Sequence, residues 1–322
     1  MLYLNTADLV KCGLNWCETV GVIEETVRLL HTNDYNQPIK PYLRYYDPVN
    51  RIIAMPAFVG GDIFAAGIKW IASFPGNLAI GMKRAHSVTI LNDTSTGKAL
   101  ATINSALISG IRTASVSGLV VQYYDTIRNW NDGVVGIIGF GPIGQLHLEM
   151  LQDLFGDKIN KFILYDIAGV NVNALSEDIR HKVVIAAHWV EAYEASDIVV
   201  TCTVSKHRYI DQPPKPGSLL LNVSLRDYKP DIINHTSSII VDDWDEVCRE
   251  NTDIEMLAKE RGLTKDQTKS IVEMVCVAEK CRFAESDPIY FNPMGMAVFD
   301  IAVASYYYKK ALSTGNGVRL DD

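Results

Sequence analysis

Three glycines, Gly139, Gly141 and Gly144, sit in the run V-V-G-I-I-G-F-G-P-I-G-Q-L-H. An apolar strand leading into a glycine turn and then a helix brings free N–H groups and the positive end of the helix dipole to one point, a geometry suited to a pyrophosphate. Pro142 and Ile143 complete the turn. The next apolar run, K-F-I-L-Y-D, ends at Asp166, 22 residues after Gly144. A carboxylate at that place accepts from both hydroxyls of a ribose, so the pair of motifs predicts dinucleotide binding. Asp166 would repel a 2′-phosphate, and Ile167-Ala168-Gly169 offers no arginine to hold one, which favours NAD over NADP. Thr201, Cys202 and Thr203 end a further strand on the same sheet edge, where their backbone would line the nicotinamide side. Cys202 is read as a small filler in preference to a nucleophile.

A second set of residues is cationic. Lys69 lies in A-A-G-I-K-W-I and Arg112 in L-I-S-G-I-R-T-A, apolar surroundings in which an unpaired cation is costly and an anionic ligand is a natural partner. Between residues 40 and 112 there are eight Lys/Arg (40, 44, 51, 69, 83, 84, 98, 112) against three acids (47, 62, 93). That surplus suits a substrate with several carboxylates. The whole chain carries a net charge of −8, which argues against a nucleic-acid surface. No basic, cleavable apolar leader and no run of about 18 apolar residues is present, so neither a signal peptide nor a membrane span is expected and the cytoplasm is the expected location. The six cysteines include no C-x-x-C pair, and no metal site is expected.

The elements that must position these residues fall into two groups. R-I-I-A-M-P-A-F-V-G-G-D, A-A-G-I-K-W-I-A-S-F-P-G and S-V-T-I-L-N-D-T-S-T-G-K-A-L-A-T-I read as strands with turns, hence a mostly antiparallel sheet. The small, apolar stretch A-L-I-S-G-I-R-T-A-S-V-S-G-L-V-V-Q-Y-Y reads as a buried helix leading onward. From about residue 133 strands and helices alternate, with strands expected at V-V-G-I-I-G, 161–166, 182–187, 197–203, 218–224 and 238–243, the doubly wound parallel pattern of an α/β chain. A final helix, M-G-M-A-V-F-D-I-A-V-A-S-Y-Y-Y-K-K, has an apolar face able to pack back on the first group.

Taken together, G-I-K-W (67–70), L-N-D-x-x-x-G (91–97), I-S-G-I-R-T-A-S (108–115), G-F-G-P-I-G and N-P-M-G-M-A-V-F-D (292–300) resemble the ornithine cyclodeaminase/mu-crystallin family over nearly the whole chain. The resemblance implies a Rossmann NAD-binding domain over 114–294. It also implies an α+β domain for substrate binding and dimerisation over 1–113 together with 295–322, hence a homodimer. It makes Arg44, Lys69 and Arg112 the catalytic and substrate-binding cations, with Lys40, Arg84 and Met294 as further substrate contacts and Arg51 a weaker candidate. Arg112, Thr113 and Ser224 join the glycine turn, Asp166 and Thr201 to Thr203 as cofactor contacts, while His86 is read as structural. Within the family, Q-P-I-K-P-Y-L-R, R-I-I-A-M-P, V-D-D-W and N-P-M-G-M-A look closest to members that oxidise an N-substituted glutamate to supply 2,3-diaminopropionate for siderophores and antibiotics. Two departures from the cyclodeaminases stand out: Ile53 and Ser224 occupy positions where those enzymes carry carboxylates, which puts ring closure of ornithine in doubt, although Asp227 lies close to Ser224. The implied activity is NAD-dependent oxidative hydrolysis; the alternatives are ornithine cyclodeaminase, a reductase of imino or keto acids such as alanine dehydrogenase, and a non-catalytic nucleotide-binding role.

Overall fold

The computed structural model describes residues 1–321 and divides them into two compact units: residues 1–115 with the chain from Gly295 onward, and Val116–Met294.

In the first unit the strands are β1 (Leu2–Asn5), β2 (Tyr35–Asn36), β3 (Tyr42–Leu43), β4 (Arg51–Val59), β5 (Ala65–Ser73), β6 (Ala85–Asn92) and β7 (Ala99–Asn104). β4, β5, β6 and β7 pair antiparallel in succession, while β1 adds parallel to β7, and Val318–Arg319 pairs antiparallel with β1. Strand alternation sorts the side chains onto two faces. Odd-numbered residues of β5 and β6, Lys69 and Thr89 among them, point to the covered face; the even-numbered Trp70 is 43% exposed on the other. The helix Ala297–Thr314 covers the inner face, packing on β4, β5, β6 and the helix Trp16–His31. Its first half, A-V-F-D-I-A-V-A, is buried throughout, so here the apolar tail does pack within the first unit.

In the second unit every strand pairing is parallel. β8 (Gly133–Ile138), β9 (Ile159–Tyr165), β10 (Val183–Ile185), β11 (Ile198–Thr201), β12 (Leu219–Asn222), β13 (Ser238–Val241), β14 (Lys269–Ser270) and β15 (Ile289–Asn292) form one sheet in the order β10-β9-β8-β11-β12-β15-β13-β14. β11, β12, β13 and β15 are buried at every residue, the signature of strands covered on both faces, which is why the first three read as apolar runs. All six expected strands form. The expectation missed β15, which lies between the fifth and the sixth of them; I-Y-F-N stands between Pro288 and Pro293 and runs directly into the N-P-M-G motif, so the stretch resembles a loop.

Candidate active site

Lys69 occupies the middle of β5, opposite Met55 on β4 and Thr89 on β6. Only 2% of it is exposed. Its ammonium donates to Asp300 Oδ2 at 2.7 Å and to Ser109 Oγ at 3.3 Å. Arg112 Nε donates to the other oxygen of the same carboxylate at 3.1 Å. Two cations therefore share one fully buried acid, which leaves the trio net positive whenever Lys69 is protonated. Burial pulls the Lys69 pKa down to about 7; Asp300 opposes that fall, and the charges of Arg112 and Lys40 add to it. Burial works against the charge of Asp300, but Arg112 and Lys69 prevail and hold its carboxyl below the usual range.

Asp300 enters the site from the first turn of the helix Ala297–Thr314, where a negative charge is favoured by the helix dipole. In the sequence Asp300 carries no mark of a role inside N-P-M-G-M-A-V-F-D, and the partner expected for Lys69 and Arg112 is an anionic ligand. Their resident partner is Asp300. The signal was available: an aspartate between Val298-Phe299 and Ile301-Ala302 demands a buried cation by the argument already applied to Lys69. Gly295 admits the cluster. Its φ of +85° suits glycine, and a Cβ there would lie 2.5 Å from Arg112 Nη1. Its carbonyl accepts from Lys40 Nζ at 2.8 Å, so Lys40, only 3% exposed, belongs with Lys69 and Arg112.

Other sequence-predicted residues of this unit are placed as follows. Arg44 is exposed and stacks its guanidinium 4.8 Å from the ring of Tyr42, with Arg51 at 5.7 Å from the same ring. Tyr42 pairs with Ile53 and so shares the inner face of β4 with it. Arg84 is half-buried directly before β6; burial, and then the nearby charge of Arg51, lower its pKa. The Thr113 hydroxyl donates to Ser109 O at 2.7 Å, tying it to its own helix. His86 is exposed.

In the second unit the glycine turn takes the expected form. Gly139 has φ +93°, and a Cβ on it would meet the backbone of Cys202 at 2.7 Å. A Cβ on Gly144 would lie 2.2 Å from Gly139 O, so glycine is needed for the helix Pro142–Phe155 to approach the strand. Gly141, the N-cap of that helix, differs: its φ is −71°, and a Cβ would meet no atom of the described residues within 4 Å. Nothing in the packing of the described residues requires glycine there. A Cβ would instead fill the approach to the helix N-terminus, which fits the close backbone contact that a pyrophosphate needs.

Asp166 stands beside this turn, its Oδ2 accepting from Phe140 N at 2.6 Å and its Oδ1 from Ala168 N at 2.8 Å. Each oxygen keeps a lone pair for a ribose hydroxyl. Ser224 donates to Thr201 O at 2.9 Å, and Cys202 N donates to Ile138 O at 2.8 Å, so Gly139, Asp166, Thr201 to Thr203 and Ser224 gather at the carboxyl ends of β8, β9, β11 and β12. Burial raises the Cys202 thiol pKa, in keeping with a filler. Asp227 is fully buried and accepts from the hydroxyls of Thr203 and Ser224; burial raises its pKa as well. The Met294 amide donates to Asp242 Oδ1 at 3.0 Å.

The sequence pattern of the ornithine cyclodeaminase/mu-crystallin family matches residues 3–315. The chain belongs to this family. Among its relatives, the N-((2S)-2-amino-2-carboxyethyl)-L-glutamate dehydrogenase of Staphylococcus aureus is 32% identical over a 335-residue alignment spanning 100% of this chain and 98% of the relative. Two solved structures share the fold. The Thermococcus litoralis Δ1-pyrroline-2-carboxylate reductase in complex with NADH and L-proline has a TM-score of 0.88 at 24% identity, covering 99% of this chain and 100% of its own. An archaeal alanine dehydrogenase dimer with bound NAD has a TM-score of 0.84 at 23% identity, covering 100% and 99%.

Proposed function

We propose that the protein is an NAD-dependent dehydrogenase of this family that oxidatively hydrolyses N-(2-amino-2-carboxyethyl)-L-glutamate to 2,3-diaminopropionate and 2-oxoglutarate. The observation that carries this reading is the buried Lys69–Asp300–Arg112 cluster, a proton-transfer amine set among cations, together with the 32% identity to the S. aureus dehydrogenase. Gly139, Gly141, Gly144 and Asp166 would hold NAD, which would supply the acceptor for a hydride from the glutamate Cα. Arg112, Lys40 and Arg44 bind and orient carboxylates. Lys69, with a pKa near the working pH, takes a proton from the water that adds to the substrate's C=N carbon and returns one to the departing amine. The C–N bond then breaks. The carboxylate of Asp166 sets the choice of NAD over NADP.

In this reading residues 1–113 with 295–322 form the substrate and dimerisation domain, and residues 114–294 the nucleotide domain. The assembly is a homodimer, as in the archaeal alanine dehydrogenase, joined through the outer sheet face that carries Pro56, Phe58, Ile68, Trp70 and Ile90. No helix among the described residues is long and apolar enough to cross a membrane, and we place the enzyme in the cytoplasm, serving siderophore or antibiotic synthesis.

One assay tests the activity: purified protein with NAD or NADP is given the synthetic glutamate adduct, ornithine, or alanine, and NADH and products are measured. NADH formed with 2-oxoglutarate from the adduct, with NAD preferred, is the expected result. Ornithine converted to proline without net NADH, or alanine oxidised in place of the adduct, would overturn it.

A further inference from the structure

Two side chains on the inner sheet face have no part in the cluster described above. Thr89, on β6, is fully buried directly opposite Lys69; Ser87, one inward-facing position along, is 4% exposed and opposite Ile71. Both hydroxyls are buried without a hydrogen-bond partner among the described residues. A buried hydroxyl left unmatched forfeits the hydrogen bonds it made to water, so two on one strand, on the face that holds a buried lysine, call for a polar ligand.

The register orders the face into rows. Met55, Lys69 and Thr89 form one; Ile53, Ile71 and Ser87 the next; Arg51, Ser73 and Ala85 the one beyond, with Arg84 adjoining it in sequence. Successive rows are about 6.8 Å apart, two residues at about 3.4 Å each. In an extended glutamate the two carboxyl carbons are about 5 Å apart, four bonds of about 1.5 Å. A group held beside Lys69 and Thr89 thus brings a carboxylate two methylenes further along to Ser87, on the side where Arg51 and Arg84 lie.

We infer that Ser87, supported by Arg84, forms a subsite for the distal carboxylate of a five-carbon dicarboxylic amino or keto acid, whose head group lies in the row of Lys69 and Thr89. The side chain of Arg84 suits the role: it is half-buried, and the nearby positive charge of Arg51 works against its own, a conflict that a bound carboxylate relieves. Hydroxyl and guanidinium both donate to a carboxylate, and no proton transfer is involved. The inference rests on the proposed substrate site around Lys69, and it names what selects the glutamate half of the substrate.

Calorimetric titration of the full chain with 2-oxoglutarate and with 2-oxobutyrate, which lacks the second carboxylate, in the presence of NADH tests it. The unmodified protein should prefer 2-oxoglutarate by roughly tenfold or more, the scale of a lost charge-assisted hydrogen bond. Ser87→Ala should cut that preference several-fold and leave 2-oxobutyrate binding unchanged, while Thr89→Val weakens both ligands. Arg84→Gln, at the edge of the strand, repeats the test should Ser87→Ala fail to fold. No preference in the unmodified protein, or a preference that survives both Ser87→Ala and Arg84→Gln, would overturn the subsite. An enzyme inactive on the glutamate adduct that still shows the preference and its loss would sink the proposed reaction and leave the subsite standing.

Discussion

Lys69 sits at about pKa 7 because burial outweighs the carboxylate beside it. Its neutral form must be present to take a proton from water, so kcat/KM should fall as pH drops below about 7, approaching tenfold per pH unit, and Lys69→Arg should abolish this limb. A pH–rate profile without an inflection near 7 would argue that another group moves the proton. Asp300 is the member that holds the pKa up, so Asp300→Asn should shift the inflection to lower pH. The same change leaves the buried Arg112 guanidinium without its acid and should cost about 3–5 kcal/mol of stability, readable by urea unfolding. At this scale the sequence was half legible. An isolated lysine or arginine in an apolar run announces burial, so Lys69 and Arg112 stood out. The residue that completes them lies 188 positions from Arg112, and no local pattern links two charges so far apart. Ser87 and Thr89 looked like ordinary strand residues, because an unmatched hydroxyl shows only once its neighbours are in place.

The glycine turn separates two reasons for a glycine within one element. Gly144→Ala places a methyl 2.2 Å from Gly139 O, so it should lower the thermal midpoint and weaken NAD binding together. Gly141→Ala has open space and an ordinary φ, so it should fold like the unmodified protein and weaken NAD roughly tenfold or more, the scale of a lost charge-assisted contact. Thermal unfolding set beside NAD titration distinguishes them; an unchanged affinity in Gly141→Ala would remove the turn from the cofactor site. Spacing alone marked all three glycines but not which of them the protein's own packing needs. The strands followed a similar division. β8, β9, β10, β11, β12 and β13 were legible as apolar runs bounded by turns, whereas β15, as long as β11, β12 or β13, was not, since Pro288 and Pro293 on its two sides give the whole stretch the look of a loop.

For the whole molecule, the outer face of the β4–β5–β6 sheet leaves Trp70 43% exposed and Phe58, Ile68 and Ile90 half-exposed, an apolar surface of the kind that pairs with a second copy. The expected state is a dimer, and Ile68→Asp with Trp70→Asp should convert it to monomer in sedimentation experiments while the inward-facing Lys69 keeps its surroundings; a monomer in the unmodified protein at micromolar concentration would refute the interface. A different consequence follows from the place of β15, which is hydrogen-bonded on both sides, between β12 and β13. During synthesis the strands on either side emerge well before the one that joins them, so both wait with bare edges. The first unit waits too, since Asp300 and its helix come later still. Ribosomal order and sheet order thus disagree, and a growing chain keeps unpaired strand edges and a carboxylate-free Lys69 until its last few dozen residues appear. A chain stopped at Asp287 should partition to the insoluble fraction, where the complete chain stays in solution.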